Sequence, residues 1–428
     1  MTRMAAASLP LQTVHSEASI SNHHGIRARR ADLDWLRVIA FGLLIFFHAA
    51  MPFIPGGIPM IQNSELSPVL QIFVGFLHEF RLSLLFLVSG VGVCFALRHR
   101  SRAEFFRDRA IRLLVPFVFG VLVIVPPMIF LEKRFNGVFA GSFLAFYPRF
   151  FTEGVYPKGN LSWHQYWFIA YLYLFCLIGW PLFAWLNSAS GRERVQRWGT
   201  WTSSGFRLYL AILPLVAVEI ALRVWFPGFR DLIHDWASFS NWFLVFVAGF
   251  LFASSEALLD RACAMRGVSL LFAGITTTLL FGEFWSWPIS SFTPLNDDTV
   301  RVFDYLWFCV LRAANAWFWL LVCLGYAGRY LRRANRVLAY LNDAVYPFFC
   351  LHLTAMVAIS YTVIPMDWPV GPKYLTIVVV ATVAVLITYE GAIRRTPWLR
   401  PLVGLKPVIP VNPAPLCRHV VPSAPRDE

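Results

Sequence analysis

The sequence predicts an all-α, polytopic membrane protein of about ten transmembrane helices with both termini in the cytoplasm. Three observations predict this class. The 428 residues are 58% hydrophobic and only 14% charged, with a mean hydropathy of +0.59, far more apolar than a soluble domain. The apolar residues form runs long enough to cross a bilayer, at about 20 residues each. Basic residues cluster between alternate runs, which is the pattern that sets membrane orientation.

The same pattern excludes other classes of protein. Long uniform apolar runs differ from the apolar stripes of a soluble helix or a coiled coil, and they lack the alternation over roughly ten residues that marks a β-barrel. The net charge of +13 lies in short arginine clusters between apolar runs, so we expect no nucleic-acid binding. The seven cysteines form no CxxC pair, so we expect neither a disulfide framework nor a bound metal.

Run length places ten spans. They lie near residues 33–53, 69–97, 110–131, 161–186, 208–226, 238–256, 268–288, 303–327, 341–365 and 373–393. An even number puts both termini on one side, and the arginine clusters decide which side it is. These clusters lie in the segments before the first span and after every second span. We therefore assign those segments, and both termini, to the cytoplasm of a protein in the cell inner (plasma) membrane.

Residues 31–400 are predicted as one membrane domain between two cytoplasmic tails. The 1–30 segment is polar and lacks the apolar stretch of a cleavable signal peptide, so we expect a flexible tail. The 401–428 segment is rich in proline and should be irregular. The longest outer loop, 132–160, combines glycine, proline and aromatic residues, as a lid over a site often does, and a simple connector explains it equally well.

The first span carries two ionisable side chains on one face. Such a group at the centre of a span costs at least about 2.5 to 3.5 kcal/mol, so it usually points into the bundle and marks a site. Arg37 and His48 lie eleven residues apart, which is about three helical turns, or about 16 Å, along nearly the same face. The alternative is that Arg37 extends to lipid phosphates and His48 is a packing residue.

The second span carries His78, Glu79 and Arg81 within four residues. Three ionisable groups in one apolar run are hard to explain as lipid-facing, so we expect them to pair with one another or with His48. A Glu79 carboxylate beside His48 would orient the imidazole and stabilise its protonated form. A purely structural Glu79–Arg81 or His78–Arg81 pair is the alternative.

Arg109 and Arg112 begin the third span at its cytoplasmic side. Their spacing of three places them on one face of a helix, and arginine grips phosphates with paired N–H donors. Ordinary orientation-setting arginines explain most of the surrounding cluster, which is the alternative for these two as well.

Other polar residues fall at the ends or inside of later spans. His164 opens the fourth span next to Trp163 and Trp167, which we interpret as part of the aromatic belt at the membrane surface, with His164 as a possible acceptor contact. Glu219 and Arg223 are four apart and should form an internal ion pair. Further candidates for buried polar positions are Asp304, Arg312, Asn315 and His352.

Several short motifs, in order along the chain, are similar to those of the acyltransferase 3 family of integral membrane acyltransferases. The Arg37–His48 pair, with ten residues between, resembles its Arg-x10-His signature. Leu85–Gly90 resembles its Phe-Phe-x-x-Ser-Gly motif, and Arg109-x-x-Arg112 resembles its Arg-x-x-Arg motif. The stretches at 167–168, 346–352 and 390–406 look like the branch related to periplasmic glucan succinyltransferases. The similarity spans about residues 31 to 406.

This resemblance implies transfer of an acetyl or succinyl group from cytoplasmic acyl-CoA to a hydroxyl, usually on a periplasmic or cell-surface glycan, without a metal. Arg109 and Arg112 would hold the CoA phosphates, and Arg37 would position the thioester. Assisted by Glu79, His48 would act as general base, a role that typically contributes about 10² to 10⁴ in rate.

The remaining candidates complete this implied site. Arg81 would polarise the carbonyl or recognise a succinyl carboxylate, and His164 and His352 would contact the acceptor.

Two rival functions remain open. A secondary transporter or lipid-linked sugar exporter also uses buried histidine, glutamate and arginine, although inverted repeats and midplane helix breaks are missing from the sequence. A membrane scaffold with purely structural ion pairs is the other.

Overall fold

The protein is a bundle of long apolar helices, as the sequence predicts. The computed structural model describes residues 30–55, 60–98, 100–228, 230–284 and 302–406. Within these ranges the chain is about 80% helical and forms no strand, apart from one isolated bridge between Val155 and Leu161. The predicted tails fall almost wholly outside the described residues, and the side of the membrane on which the termini lie stays a prediction.

Fourteen helices are present in the described ranges. They are α1 (Ala31–Ala50), α2 (Pro68–Leu97), α3 (Arg102–Phe135), α4 (Phe143–Thr152), α5 (Trp167–Ile178), α6 (Trp180–Asn187), α7 (Ala189–Thr202), α8 (Ile212–Leu222), α9 (Trp236–Ser254), α10 (Glu256–Phe284), α11 (Val302–Tyr330), α12 (Arg336–Val363), α13 (Val370–Thr388) and α14 (Leu399–Leu402). Eight of them are long and apolar enough to cross a membrane, or up to ten if each of two bent pairs counts as one span.

The bent pairs fall at the predicted fourth and fifth spans. The α5–α6 pair bends by 57° at Gly179, just before Pro181 at the start of α6, and proline both lacks a backbone donor and restricts the residue before it. The second pair bends by 119° between α7 and the turn that leads into α8. Gly205 there has φ +57°, a left-handed conformation that glycine adopts without strain.

Two glycines let α2 and α9 pack backbone to backbone. A Cβ atom on Gly90 would collide with the carbonyl of Phe246, and one on Gly249 would collide with the carbonyl of Leu87. Small residues permit this close approach between membrane helices. The Ser-Gly motif of the second span therefore has a packing role at Gly90.

Helix α1 contacts four other long helices, namely α2, α11, α12 and α13. We call the two ends of the bundle the Arg37 end and the His48 end, after the residues of α1 that lie there. Both side chains are half-buried. Neither is an exposed residue on the outside of the bundle.

The loop at 132–160 contains helix α4, which the sequence pattern did not predict. Phe146 and Phe150 of α4 are fully buried, and the hydroxyl of Tyr156 donates to Glu132 Oε1 at 3.1 Å. The loop is thus folded against the end of α3 at the His48 end. Burial raises the pKa of Tyr156, and the neighbouring Glu132 charge raises it further.

Candidate functional site

Two histidines from distant parts of the chain are hydrogen-bonded to each other at the His48 end. His48 Nδ1 on α1 lies 3.2 Å from His352 Nε2 on α12. The other ring nitrogen of His352, Nδ1, lies 2.8 Å from the carbonyl oxygen of Phe349 and 3.2 Å from that of Phe348. The side chain of His352 is buried, with the residue 1% exposed, so backbone carbonyls and His48 fix its orientation.

The carbonyl contacts determine which nitrogens carry hydrogen when both rings are neutral. A carbonyl oxygen only accepts, so His352 Nδ1 must be the N–H donor and His352 Nε2 must be an acceptor. His48 Nδ1 is then the donor to His352, which leaves the lone pair on His48 Nε2. This tautomer is the one that a general base needs, with its basic nitrogen away from the partner that orients it.

Arg81 lies beside this pair as a buried cation. It is 1% exposed, its guanidinium carbon is 3.2 Å from the centroid of the Phe47 ring, and its charge acts on both histidines through space. Among the described residues Arg81 forms no ion pair, and its Nε and Nη1 atoms have no hydrogen-bond partner. An N–H donor held in this state has unused hydrogen-bonding capacity toward a bound group.

Glu79 is not the partner of His48, contrary to the expectation from sequence. It lines a separate cavity of about 50 Å³ together with Glu219 and Arg312. Residues two apart on a helix point to nearly opposite sides, so Arg81 faces Phe47 while Glu79 faces this cavity. The structural Glu79–Arg81 pair is absent from the described ion pairs for the same reason. His352 occupies the orienting position that was expected for Glu79.

The predicted ion pair between Glu219 and Arg223 is confirmed in this cavity. Arg223 donates to both carboxylate oxygens at 2.8 Å, and both side chains are nearly fully buried. Ser238 and Asn241 add hydrogen bonds at 3.0 and 2.6 Å. This closed network gives structural support to the helices around it.

Arg230, which the sequence pattern marks only as a loop charge, belongs to the His48 end. It has φ +67°, its backbone N–H donates to Asp235 Oδ2 at 2.8 Å, and its guanidinium carbon lies 5.0 Å from the centroid of the Trp167 ring. Its charge acts on His48 and Arg81. Burial lowers the pKa of Arg230 to about 9, against the opposing effect of Tyr171.

Asp235 and Tyr171 hold this loop in place. The Tyr171 hydroxyl donates to Asp235 Oδ2, the same oxygen that accepts from Arg230. Burial raises the pKa of the Asp235 carboxyl, and these hydrogen bonds oppose the rise. No sequence motif marks Arg230, because the loop conformation alone brings it inward.

Trp167 differs from the belt interpretation, whereas the role of His164 as an acceptor contact stays a prediction. Trp167 is 5% exposed and packs on Trp242 of α9 with ring centroids 5.2 Å apart, so it is a core residue. His164 lies in a short turn before α5 with its ring 5.0 Å from that of Tyr156, and its Nε2 has no hydrogen-bond partner among the described residues.

The later-span candidates are placed in different environments. Asn315 is fully buried and accepts from Thr276 and Thr277, whereas Arg312 lines the Glu79 cavity. Asp304 is half-buried near the start of α11. Among the described residues, no group of three or more histidine, cysteine, aspartate or glutamate side chains could hold a metal ion.

A second polar cluster lies at the Arg37 end. The hydroxyl of Tyr346 on α12 is within electrostatic range of Arg37, Arg109 and Arg112. Arg112 Nε donates to the carbonyl of Gly404 at 3.4 Å, and Arg109 stacks on Phe105 with 5.1 Å between its guanidinium carbon and the ring centroid. The sequence-predicted arginines of α1 and α3 thus all act electrostatically on one residue of α12.

The backbone of α3 is unusual between these arginines. Residues Ala110–Leu114 form a π-helical turn, a feature that is rare and frequent at functional sites. The wider turn changes the angle between Arg109 and Arg112 from that of a regular helix, which the sequence spacing alone did not predict.

Helix α12 connects the two clusters, with Tyr346 at one and His352 at the other. The arrangement combines arginines suited to phosphate at one end with a base-competent imidazole and buried cations at the other. A family model described as an acyltransferase domain matches residues 30–390 of the chain. No curated protein and no solved structure matches it.

Proposed function

The chain belongs to the acyltransferase 3 family, whose model spans nearly all of the helical bundle, and we propose that it moves an acyl group from cytoplasmic acyl-CoA to a hydroxyl of a periplasmic or cell-surface glycan. The Arg37 end would face the cytoplasm and the His48 end the outer side of the inner membrane. The observation that carries the proposal is the His48–His352 hydrogen bond, which directs a basic nitrogen of His48 away from its partner.

The donor would bind at the Arg37 end. Arg109 and Arg112 would hold the phosphates of CoA, because guanidinium groups present paired N–H donors to phosphate oxygens. Arg109 Nε is buried and without a partner among the described residues, which leaves it open to such a ligand. Arg37 would then steer the thioester along α12 toward the histidine pair.

Acyl transfer would proceed by general base catalysis at His48. Its Nε2 takes the proton from the acceptor hydroxyl as the hydroxyl oxygen attacks the thioester carbonyl and forms the new C–O bond. The tetrahedral intermediate then collapses, its C–S bond breaks, and the departing sulfur takes the proton back from His48. The products are the ester and free CoA thiol, with a neutral imidazole restored.

The buried cations would stabilise the charge that develops on the carbonyl oxygen. Arg81 has two enclosed N–H nitrogens without partners among the described residues, and preorganised donors in a water-poor site are the usual means of stabilising such an oxyanion. The Arg230 charge would add to this field. His164, also with an open nitrogen, would contact the acceptor, and the Glu79 cavity would support the helices.

The direct test uses membranes that contain the protein, labelled acetyl-CoA or succinyl-CoA, and periplasmic glycan. We expect free thiol and labelled glycan together. His48→Ala should lower thiol release by about 10²- to 10⁴-fold. His234→Ala is the matched control, since His234 is an exposed surface histidine, and it should leave the rate unchanged.

An unchanged rate in folded His48→Ala protein would remove His48 from its role. Gradient-driven uptake of a solute without thiol release would support the transporter instead. A mass shift on periplasmic glycans after deletion of the gene identifies the acceptor and shows whether acetyl or succinyl is moved.

A further inference from the structure

Two polar side chains on one face of α12 have buried atoms with no hydrogen-bond partner. Within the described part of the chain, Asn342 lacks a partner at both its Nδ2 donor and its Oδ1 acceptor, and the Tyr346 hydroxyl lacks one as well. The two residues are four apart and therefore lie one above the other on the helix. Buried polar groups in proteins are almost always satisfied, so three open atoms side by side indicate a ligand.

The pair lies on the route from the arginines to the histidines. Tyr346 is within electrostatic range of Arg37, Arg109 and Arg112, and its ring packs against Phe349 with centroids 6.2 Å apart. His352 lies six residues further along the same helix. Six residues turn a helix by about 240°, so a donor that extends from the arginines to His48 would pass Asn342 and Tyr346 and then cross to the neighbouring face of α12.

The pattern of open atoms specifies the chemistry of the ligand. Asn342 offers one N–H donor group and one carbonyl acceptor, and the tyrosine hydroxyl can donate or accept. A ligand that satisfies them must therefore present both a hydrogen-bond donor and an acceptor. The donor proposed above supplies this combination as amides, whereas its phosphates and its alkyl carbons do not.

We propose that Asn342 and Tyr346 bind the amide groups of the pantetheine arm of the acyl-CoA donor. This inference rests on the proposed function and adds a binding site between the phosphates and the thioester. The arm contains two amides, each with one N–H and one carbonyl. Asn342 and Tyr346 would hold the arm extended along α12, so that the thioester arrives at His48.

The test compares donors that differ only in the arm. Acyl-CoA carries phosphates and two amides, S-acyl-pantetheine carries the amides alone, and an S-acyl alkanethiol carries neither. Asn342→Leu and Tyr346→Phe should each lower kcat/KM by about 3- to 10-fold for the first two donors, which is the loss expected for one hydrogen bond, and leave the alkanethiol donor unaffected. Arg112→Gln is the matched control, because it should weaken acyl-CoA and spare S-acyl-pantetheine.

If each variant lowers kcat/KM equally for all three donors, the two residues have a structural role and the proposal is overturned. Full activity of both variants with acyl-CoA would also overturn it. Equilibrium binding of CoA and of pantetheine to purified protein separates this inference from the proposed function. If the wild type binds both and releases no thiol from acyl-CoA, and the variants lower both affinities, the acyltransferase reaction fails while the amide site stands. If the variants bind both as tightly as the wild type, the amide site fails.

Discussion

His352 should control the rate through the tautomer of His48. Its Nε2 accepts from His48 Nδ1 at 3.2 Å, and the Phe349 carbonyl fixes its own proton at Nδ1. His352→Leu removes this acceptor and leaves the His48 ring with the backbone carbonyl of Leu44 as its hydrogen-bond partner. The lost hydrogen bond contributes about 0.5–1.5 kcal/mol to the tautomer with the proton on Nδ1. Without it the ring more often carries its proton on Nε2, which moves the basic lone pair to Nδ1 and away from the acceptor.

The expected loss is set by that energy. At 1.36 kcal/mol per tenfold, about 0.5–1.5 kcal/mol corresponds to a fall in kcat of about 2- to 13-fold. The KM for acyl-CoA should stay near the wild-type value, because the donor phosphates bind at the other end of the bundle. His352→Gln retains a carbonyl oxygen that can accept from His48 and should recover most of the rate.

The assay is thiol release from acyl-CoA at saturating acceptor, with size-exclusion chromatography to confirm folding. Nitrogen NMR of histidine-labelled protein reports the tautomer of His48 directly and does not depend on turnover. Equal loss in His352→Leu and His352→Gln would mean that His352 acts by packing alone. Wild-type kcat in folded His352→Leu protein would refute the tautomer argument.

Three further predictions concern stability. Glu219→Leu should destabilise the protein by about 3–5 kcal/mol, because it leaves Arg223 buried without its carboxylate. The double variant Glu219→Leu, Arg223→Met should recover most of the lost stability. Thermal unfolding in detergent measures both, and equal melting temperatures for the single and double variants would contradict the role of the pair. Gly90→Ala should destabilise the protein by about 1–3 kcal/mol, because the added Cβ meets a carbonyl of α9. Gly92→Ala is the control, because a Cβ there meets nothing within 4 Å, and it should be neutral or slightly stabilising. Similar melting temperatures for these two variants would argue against close packing of α2 on α9. Burial raises the pKa of Asp235 in the folded state, so ionisation of this carboxyl opposes folding. Its stabilising contribution to the free energy of unfolding is fully present below the unfolded pKa of about 3.9. That contribution is lost as pH rises through the folded-state pKa. Asp235→Asn should therefore flatten this part of the dependence of melting temperature on pH, and an unchanged slope would be evidence against the buried carboxyl.

The positions of the spans could be predicted because run length and hydropathy act locally. The bends at the fourth and fifth spans could not be predicted, because they depend on the backbone conformation that Gly179 and Gly205 adopt in the folded chain. Helix α4 was missed for a related reason. Its buried residues, Phe146 and Phe150, are explained only by the helices on which the loop folds.

Helical periodicity predicts which residues of one helix share a face, and it predicts no contact between different helices. The period of α1 predicts one face for Arg37 and His48, and both side chains are half-buried in the structure. The same period on α2 separates Glu79 from Arg81, and the expected contact between Glu79 and His48 overlooked this separation. The contact between His48 and His352 joins residues about 300 positions apart, which no local pattern predicts. Arg230 was missed because its inward position depends on a left-handed backbone conformation in a loop.

Buried charges in this bundle fall into two kinds that the sequence does not distinguish. Glu219 and Arg223 form a closed pair in which charge and hydrogen bonds are matched, so the pair needs nothing further and stabilises the helices it joins. Arg81 is equally buried but keeps two unpartnered N–H nitrogens among the described residues, a state that costs folding free energy. Arg81 lies beside a histidine that can act as a base, so its unpartnered N–H nitrogens are better explained by a substrate group that binds during the reaction than by packing. Unsatisfied N–H donors beside the histidine pair, more than burial or charge alone, therefore mark Arg81 as a candidate reacting residue.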